Sequence, residues 1–206
     1  MAERKLPGSF RLQLLALLLA FLGALGLLAQ AYGRSALLSQ KAEQLNLSVG
    51  LARNGAEAFA GCGSLTSLSV PGSVRTIGDG AFRDCVSITS VMIPDGVTEI
   101  GNYVFRNCRG LTAVVLPETL ERIGRYAFSY CSKLETLRIP AAVTEIGTEA
   151  FSNCGMWSVT FQGDAPAIGE NAFKGVQATA FYPQDAQGWN RKATVSYGGN
   201  LTWETI

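Results

Sequence analysis

Residues 127–149 read Ala127-Phe128-Ser129-Tyr130-Cys131-Ser132-Lys133-Leu134-Glu135-Thr136-Leu137-Arg138-Ile139-Pro140-Ala141-Ala142-Val143-Thr144-Glu145-Ile146-Gly147-Thr148-Glu149, and the order of apolar positions in this stretch decides the fold. Leu137 and Ile139 alternate with Thr136 and Arg138, the period-two pattern of a short strand with one buried face. Pro140 ends that ladder at once, because it has no N–H to donate. Val143 and Ile146 mark a second inward segment, and Gly147 suits a tight turn in which a side chain would be in the way. Ala150-Phe151 then starts the same order again.

Outward from this unit the pattern repeats in columns. Phe59, Phe82, Phe105, Phe128 and Phe151 lie 23 residues apart, and Phe173 follows after 22. The same 23-residue step separates Cys62, Cys85, Cys108, Cys131 and Cys154, and likewise Pro71, Pro94, Pro117 and Pro140, and Gly78, Gly101, Gly124 and Gly147. Several independent columns at one period are not a coincidence. A unit of this size with one apolar edge cannot bury that edge alone, whereas stacked units bury it against each other. The expected fold is a β-rich solenoid over residues 45–176, built of short strands with turns or short helical segments. Coils about 5 Å apart would turn each column into a ladder of like residues.

The ends of the array depart from the pattern, as solenoid ends do. Leu45, Leu47, Leu51 and Gly55 fall at the repeat positions of Leu137, Ile139, Val143 and Gly147, so residues 45–58 read as a degenerate first unit. Cys154-Gly155-Met156 is one residue shorter than Cys131-Ser132-Lys133-Leu134, and Val176 stands where a cysteine is expected. Residues 177–206, aromatic and rich in turn formers, read as a C-terminal cap. At the other end Arg4, Lys5 and Arg11 precede an uncharged, Leu- and Ala-rich run from Leu12 to Gly33. A basic start, an apolar run and Ala29-Gln30-Ala31 fit a secretory peptide cut before Tyr32, while a run of this length also fits an uncleaved signal anchor, a hydrophobic N-terminal helix. Residues 32–44 would be a stalk or a short helix. Under either reading the positive-inside rule puts residues 34–206 outside the cytoplasm.

Composition narrows the function classes. Removing residues 1–31 takes away three basic residues and one acidic residue, which leaves 14 basic against 15 acidic. Nucleic acid is not an expected partner, since a near-neutral chain has no basic face to neutralise phosphates. There is no histidine, so the commonest general base and every Ser-His or Cys-His pair are missing. Without Cys-x-x-Cys or histidine there is no metal-ligand pattern, and no cofactor motif is present. Asp79 with Asp84, or Glu99 with Glu145, could be imagined as an acid/base pair, but they fall at outward repeat positions where solvated charge is the default. The five cysteines share one inward column, which points to buried free thiols rather than bridges, because equivalent sites offer no preferred pairing. Leu116-Pro117-Glu118-Thr119-Leu120 resembles a sortase signal only superficially: it has Leu for the required Gly and sits inside a repeat. Asn46-Leu47-Ser48 and Asn200-Leu201-Thr202 are formal glycosylation sequons.

The motif Ala-Phe-x-x-Cys-x-x-Leu with Ile-Pro and Val-Thr-Glu-Ile-Gly resembles the BspA-type leucine-rich repeat of bacterial surface proteins, and the likeness covers residues 45–176. The closing segment, Phe181-Tyr182-Pro183 through Trp189 to Tyr197-Gly198-Gly199 and Thr202-Trp203, is similar to the ending common in secreted members of that family. The resemblance implies a curved solenoid at or outside the cell surface, often in bacteria of the gut or mouth, whose better-understood members bind host or neighbouring-cell proteins. It names no ligand, because the shared residues are the buried ones.

Candidate contact residues must therefore come from the outward columns. Arg83 and Arg106 follow the Phe position, with Ser129 next in the column. Tyr103 and Tyr126 stand two residues before it, with Arg125 and Tyr130 close by. Tyr and Arg are enriched where binding energy concentrates, so Tyr103, Tyr126, Tyr130, Arg83, Arg106 and Arg125 form the candidate partner-binding set. The outward strand positions Ser67, Ser69, Ser90, Met92, Ala113, Val115, Thr136 and Arg138 form a second, nearly uncharged face. The column Thr76, Glu99, Arg122, Glu145 would stack opposite charges on adjacent coils, each exposed pair worth about 0–1 kcal/mol. The expected function is non-catalytic binding or adhesion, with protein or glycan on a host or neighbouring cell as partner and the membrane engaged only through an uncleaved N-terminal segment. An architectural envelope spacer that self-associates, and an accessory enzyme, are the alternatives.

Overall fold

The computed structural model describes residues 56–70 and 72–206. The expected export segment, its hydrophobic helix, the stalk and residues 45–55 of the degenerate first unit lie outside the described residues. Within them the chain winds as a succession of short parallel strands, two to a coil. These are β1 (Leu68–Ser69), β2 (Thr76–Ile77), β3 (Ser90–Met92), β4 (Glu99–Ile100), β5 (Ala113–Val115), β6 (Arg122–Ile123), β7 (Thr136–Ile139), β8 (Glu145–Ile146), β9 (Ser158–Phe161), β10 (Ala167–Ile168), β11 (Gln177–Tyr182) and β12 (Asn200–Thr205).

The register is that of the repeat. Along one wall β2, β4, β6, β8 and β10 form a five-stranded sheet in which Ile77, Ile100, Ile123, Ile146 and Ile168 are in line. The wall opened by the Leu-x-Ile positions carries two sheets, β1-β3-β5 and β7-β9-β11-β12. Each short strand shows the alternation read from the sequence, as in Thr136–Ile139, where Leu137 and Ile139 are buried and Thr136 and Arg138 exposed. Residues 177–206 continue this wall: β11 pairs with β9, and β12 pairs with β11 over six residues.

On the third wall the structure decides between the turns and the short helical segments that the sequence left open. The segments around Ala-Phe-x-x-Cys are turns, and no helix occurs among the described residues. Their amides are used in another direction. Tyr103 N donates to Arg125 O (2.8 Å), Phe105 N to Ala127 O (2.7 Å) and Asn107 N to Ser129 O (2.7 Å), and the next coil repeats this from Tyr126 to Thr148 O, Phe128 to Ala150 O and Tyr130 to Ser152 O. An amide spent on the following coil is not available to a helical i−4 carbonyl, which is why no helix forms. Ordering the chain this way needs left-handed backbone at two positions per coil. Glu57, Gly80, Tyr103, Tyr126, Glu149 and Asn171 form one such column, and Gly61, Asp84, Asn107, Tyr130, Asn153 and Gly175 the other.

Inside lies one continuous core. The six phenylalanine rings from Phe59 to Phe173 stack face to face at centroid distances of 5.2–5.6 Å. The cysteines form a parallel file of free thiols. Each thiol from the second onward donates to the Phe carbonyl of the coil behind: Cys85 to Phe59 O (3.1 Å), Cys108 to Phe82 O (3.2 Å), Cys131 to Phe105 O (3.2 Å) and Cys154 to Phe128 O (3.0 Å). Burial pushes the Cys85 and Cys108 thiols up to about 12. Burial, with the Cys154 thiol beside it, also holds Cys131 well above its ordinary value. They remain protonated and unreactive at neutral pH. The Ile-Gly glycines answer to coil spacing rather than to turn conformation. A Cβ on Gly124 would lie 2.5 Å from the carbonyl carbon of Gly101, and one on Gly147 2.6 Å from Arg125 N, while neither backbone is left-handed.

Candidate functional site

The outward side chains of the third wall inherit the spacing of the coils beneath them. Tyr103 and Tyr126 stack with ring centroids 5.2 Å apart and planes within 6°. The Arg106 guanidinium carbon stands 6.0 Å from the centre of the Tyr103 ring, at the outer reach of a cation–π contact. The Tyr126 hydroxyl donates to Glu149 Oε1 (3.1 Å), the next residue of its column, and this bond raises the tyrosine's pKa. Both tyrosines have φ near +60° (60° and 55°), as does Tyr130 (63°). For a bulky L-residue that conformation costs roughly 1–2 kcal/mol.

The structure thus brings three of the six candidate residues into contact, namely Tyr103, Tyr126 and Arg106. Arg83 is turned to a local use, paired with Glu57 (2.8 Å) and Asp84 (3.4 Å). Arg125 is exposed, and its backbone N–H donates to Asn102 Oδ1 (2.9 Å). Tyr130 stands in the second left-handed column, 46% exposed. The column after Phe changes character along the stack: Arg83 and Arg106 lie outward, whereas Ser129 and Ser152 are buried and share a hydrogen bond of 2.8 Å. Glu149 escaped the sequence reading, although its place one repeat after Tyr126 was the available signal.

Three of the four imagined carboxylates have structural occupations. Asp79 accepts from Asn102 N (2.7 Å) and Asn102 Nδ2 (3.0 Å), and Asp84 from Asn107 Nδ2 (2.7 Å). Glu145 pairs with Arg122 at 3.3 Å, as the charge-alternating column suggests. Among the described residues no group of three or more Cys, Asp and Glu side chains is arranged to hold a metal ion.

On the strand wall, Ser90 lies beside Ala113 and Met92 beside Val115. Met92 and Val115 are 67% and 52% exposed, a small apolar pair on an otherwise hydroxyl-rich face. Farther along, Trp157 precedes β9 at the position held one coil earlier by Glu135, whose carbonyl accepts the Trp157 N–H at 2.9 Å. Its side chain is 60% exposed. With Gln177, Ala178, Thr179, Asn200 and Thr202 it lines an open depression of about 260 Å³.

Solved bacterial proteins share this architecture. The chain matches a leucine-rich repeat protein from Bacteroides ovatus with a TM-score of 0.59 and 25% identity, over 73% of this chain and 39% of that one. It matches the leucine-rich repeat protein of T. pallidum with a TM-score of 0.54 and 31% identity, over 63% of this chain and 66% of that one. A pneumococcal vaccine antigen shares the fold at 18% identity and a TM-score of 0.54, over 69% of this chain and 42% of that one. The chain therefore spans about two fifths of the Bacteroides structure and just under two thirds of the Treponema one. Comparison with curated protein sequences gives no match. The family described as BspA type leucine rich repeat region matches in six copies over residues 53–179, the stretch that carries the Phe, Cys and Ile-Gly columns, and the chain belongs to that family.

Proposed function

We propose that this protein is an exported, non-catalytic recognition module that offers its turn wall to a protein or glycan on a host or neighbouring cell. Residues 1–31 act as the export signal or anchor, residues 32–44 as a stalk, and residues 177–206 as the cap of the recognition domain. The observation that carries the proposal is the Tyr103–Tyr126 stack. Both tyrosines occupy left-handed backbone positions, where Gly, Asn or Asp would be cheaper. Strained positions that keep a costly residue are where function is to be sought. Stacked rings beside Arg106 provide a rigid, amphipathic contact at low entropic cost.

The test uses the full chain, immobilised and exposed to surface extracts of host and neighbouring cells. A partner captured by the native chain should be lost, with affinity down about tenfold or more, when Tyr103, Tyr126 and Arg106 are all changed to alanine. The variant should remain folded, with only a modest fall in melting temperature. Unaltered affinity removes this patch. The exposed Met92 and Val115 favour a second reading, an architectural spacer that self-associates through its strand wall. Sedimentation at rising concentration separates the two, since the spacer must assemble and the recognition module remains a monomer.

A further inference from the structure

Trp157 is unlike the other tryptophans of the chain. Trp189 and Trp203 lie within an aromatic cluster with Phe161 and Tyr182, and their indole N–H groups donate to Gly163 O (3.0 Å) and Val195 O (3.1 Å). Their placement is explained by the fold. Trp157 instead stands on the outer face of the strand wall with 60% of its surface exposed. The preceding coils hold Thr89, Thr112 and Glu135 at that position, so the repeat does not call for an indole there.

The other residues that line the depression are uncharged, while the exposed Glu135 precedes Trp157 in its column and adds a further reason against an anionic ligand. Gln177 lies in register beside Asn200, and Thr179 lies between Ser158 and Thr202. The result is a pair of amides next to a row of hydroxyls, each partner one strand spacing, about 4.8 Å, from the next. Thr179 N donates to Trp157 O (3.0 Å), which fixes the tryptophan backbone against this platform. Among the described residues no intramolecular hydrogen bond occupies the side-chain amides of Gln177 and Asn200 or the hydroxyls of Thr179 and Thr202.

We infer that this depression is a subsite for an uncharged glycan. A pyranose ring has one face of polarised C–H bonds, attracted to the negative face of an indole, and a rim of hydroxyls that both donate and accept. A carboxamide offers an acceptor and two donors, and a threonine hydroxyl offers both roles, so the lining is matched to that rim. No lysine or arginine lines the depression, so a sialylated or sulfated sugar would bring a charge without a partner. A protein partner is disfavoured, because an interface core is assembled from several desolvated apolar side chains, and here Trp157 is the single exposed one. The space of about 260 Å³ is open at the surface, which suits one or two rings of a longer chain rather than an engulfed small molecule. The site deepens the recognition reading but does not depend on the tyrosine patch.

The experiment applies the full chain to an array of neutral hexose and N-acetylhexosamine oligosaccharides, with sialylated and sulfated oligosaccharides as controls. The tightest neutral binder is then titrated in solution. At least one neutral series should bind and shift the tryptophan emission to the blue. Trp157→Ala should weaken binding about tenfold or more, Trp157→Phe about threefold, and Gln177→Ala and Asn200→Ala by intermediate amounts. Trp157 is exposed, so these variants should melt with the native protein. The Tyr103→Ala/Tyr126→Ala variant should bind the glycan normally; if it also loses the captured protein, the two surfaces are separate. Absence of any neutral binder, binding confined to charged sugars, or affinity unchanged in Trp157→Ala would overturn the inference.

Discussion

Two aromatic ladders run along this molecule at the same spacing for different reasons. Inside, six phenylalanines stack at 5.2–5.6 Å and all but the terminal Phe59 are buried. Outside, two tyrosines stack at 5.2 Å with the Tyr126 hydroxyl turned to Glu149. The coil rise sets the distance in both. Burial removes each phenylalanine from water and makes it common to every unit, whereas the tyrosines sit on left-handed backbone that would be happier with glycine. The interior ladder therefore states how the chain folds, whereas the exterior pair is confined to two coils of the stack.

Four measurements test that contrast. The harshest is Gly124→Ala, which forces a Cβ to 2.5 Å from the Gly101 backbone and pushes two coils apart. Both ladders lose their spacing together, and urea unfolding should show a loss above about 4 kcal/mol or failure to fold. Phe128→Ala leaves a cavity in the middle of the buried stack and should cost about 3–5 kcal/mol. Tyr126→Ala in the same assay should cost only about 1 kcal/mol, because it removes an exposed ring contact and the bond to Glu149 while alanine keeps the Cβ that makes a φ of 55° unfavourable. Equal costs for the two would refute the distinction between ladders.

The third measurement concerns pH. Folding raises the Cys85 and Cys108 thiols from an ordinary 9.0 to about 12, so the folded state favours the protonated form. The associated stability is intact below about pH 9 and is lost as the pH rises from 9 towards 12. The urea midpoint should fall steeply over that range, and the Cys85→Val/Cys108→Val variant should show a shallower fall. Valine is suitable because Val176 already occupies this column, 1% exposed. The smallest effect is that of Tyr130→Gly, which removes a bulky residue from φ of 63°. It should raise stability by up to about 1 kcal/mol; a loss of stability would show that the ring contributes more to packing than its backbone conformation costs.

Most of the fold could be read from residues 127–149 and their copies, because a buried position in a stacked coil has the same neighbours above and below and so tends to keep one residue type. The strand alternation, the Phe and Cys files and the free thiols follow from that. Among the described residues turns stand where turns or short helical segments were both open, since a sequence of turn-compatible residues does not reveal whether an amide will seek its own coil or the next. The tyrosine columns were visible as departures from the repeat, but their stacking and the diversion of Arg83 to Glu57 depend on side-chain geometry. Trp157 was harder to see. Its platform comes from Gln177 and Asn200, in coils where the pattern has already decayed, so no column could be extrapolated to join them.

The amides of the third wall have one more effect. In every coil the peptide that donates forward also accepts from behind: the Ala81 carbonyl takes the Phe59 N–H while the Phe82 N–H goes to Val104 O. Such peptides, each about 3.5 D, point the same way from the first described coil to the last, where Phe173 N meets Tyr197 O. Pleated sheets largely cancel their dipoles, but this wall adds them, so that among the described residues its positive side faces Tyr197 and its negative side faces Glu57.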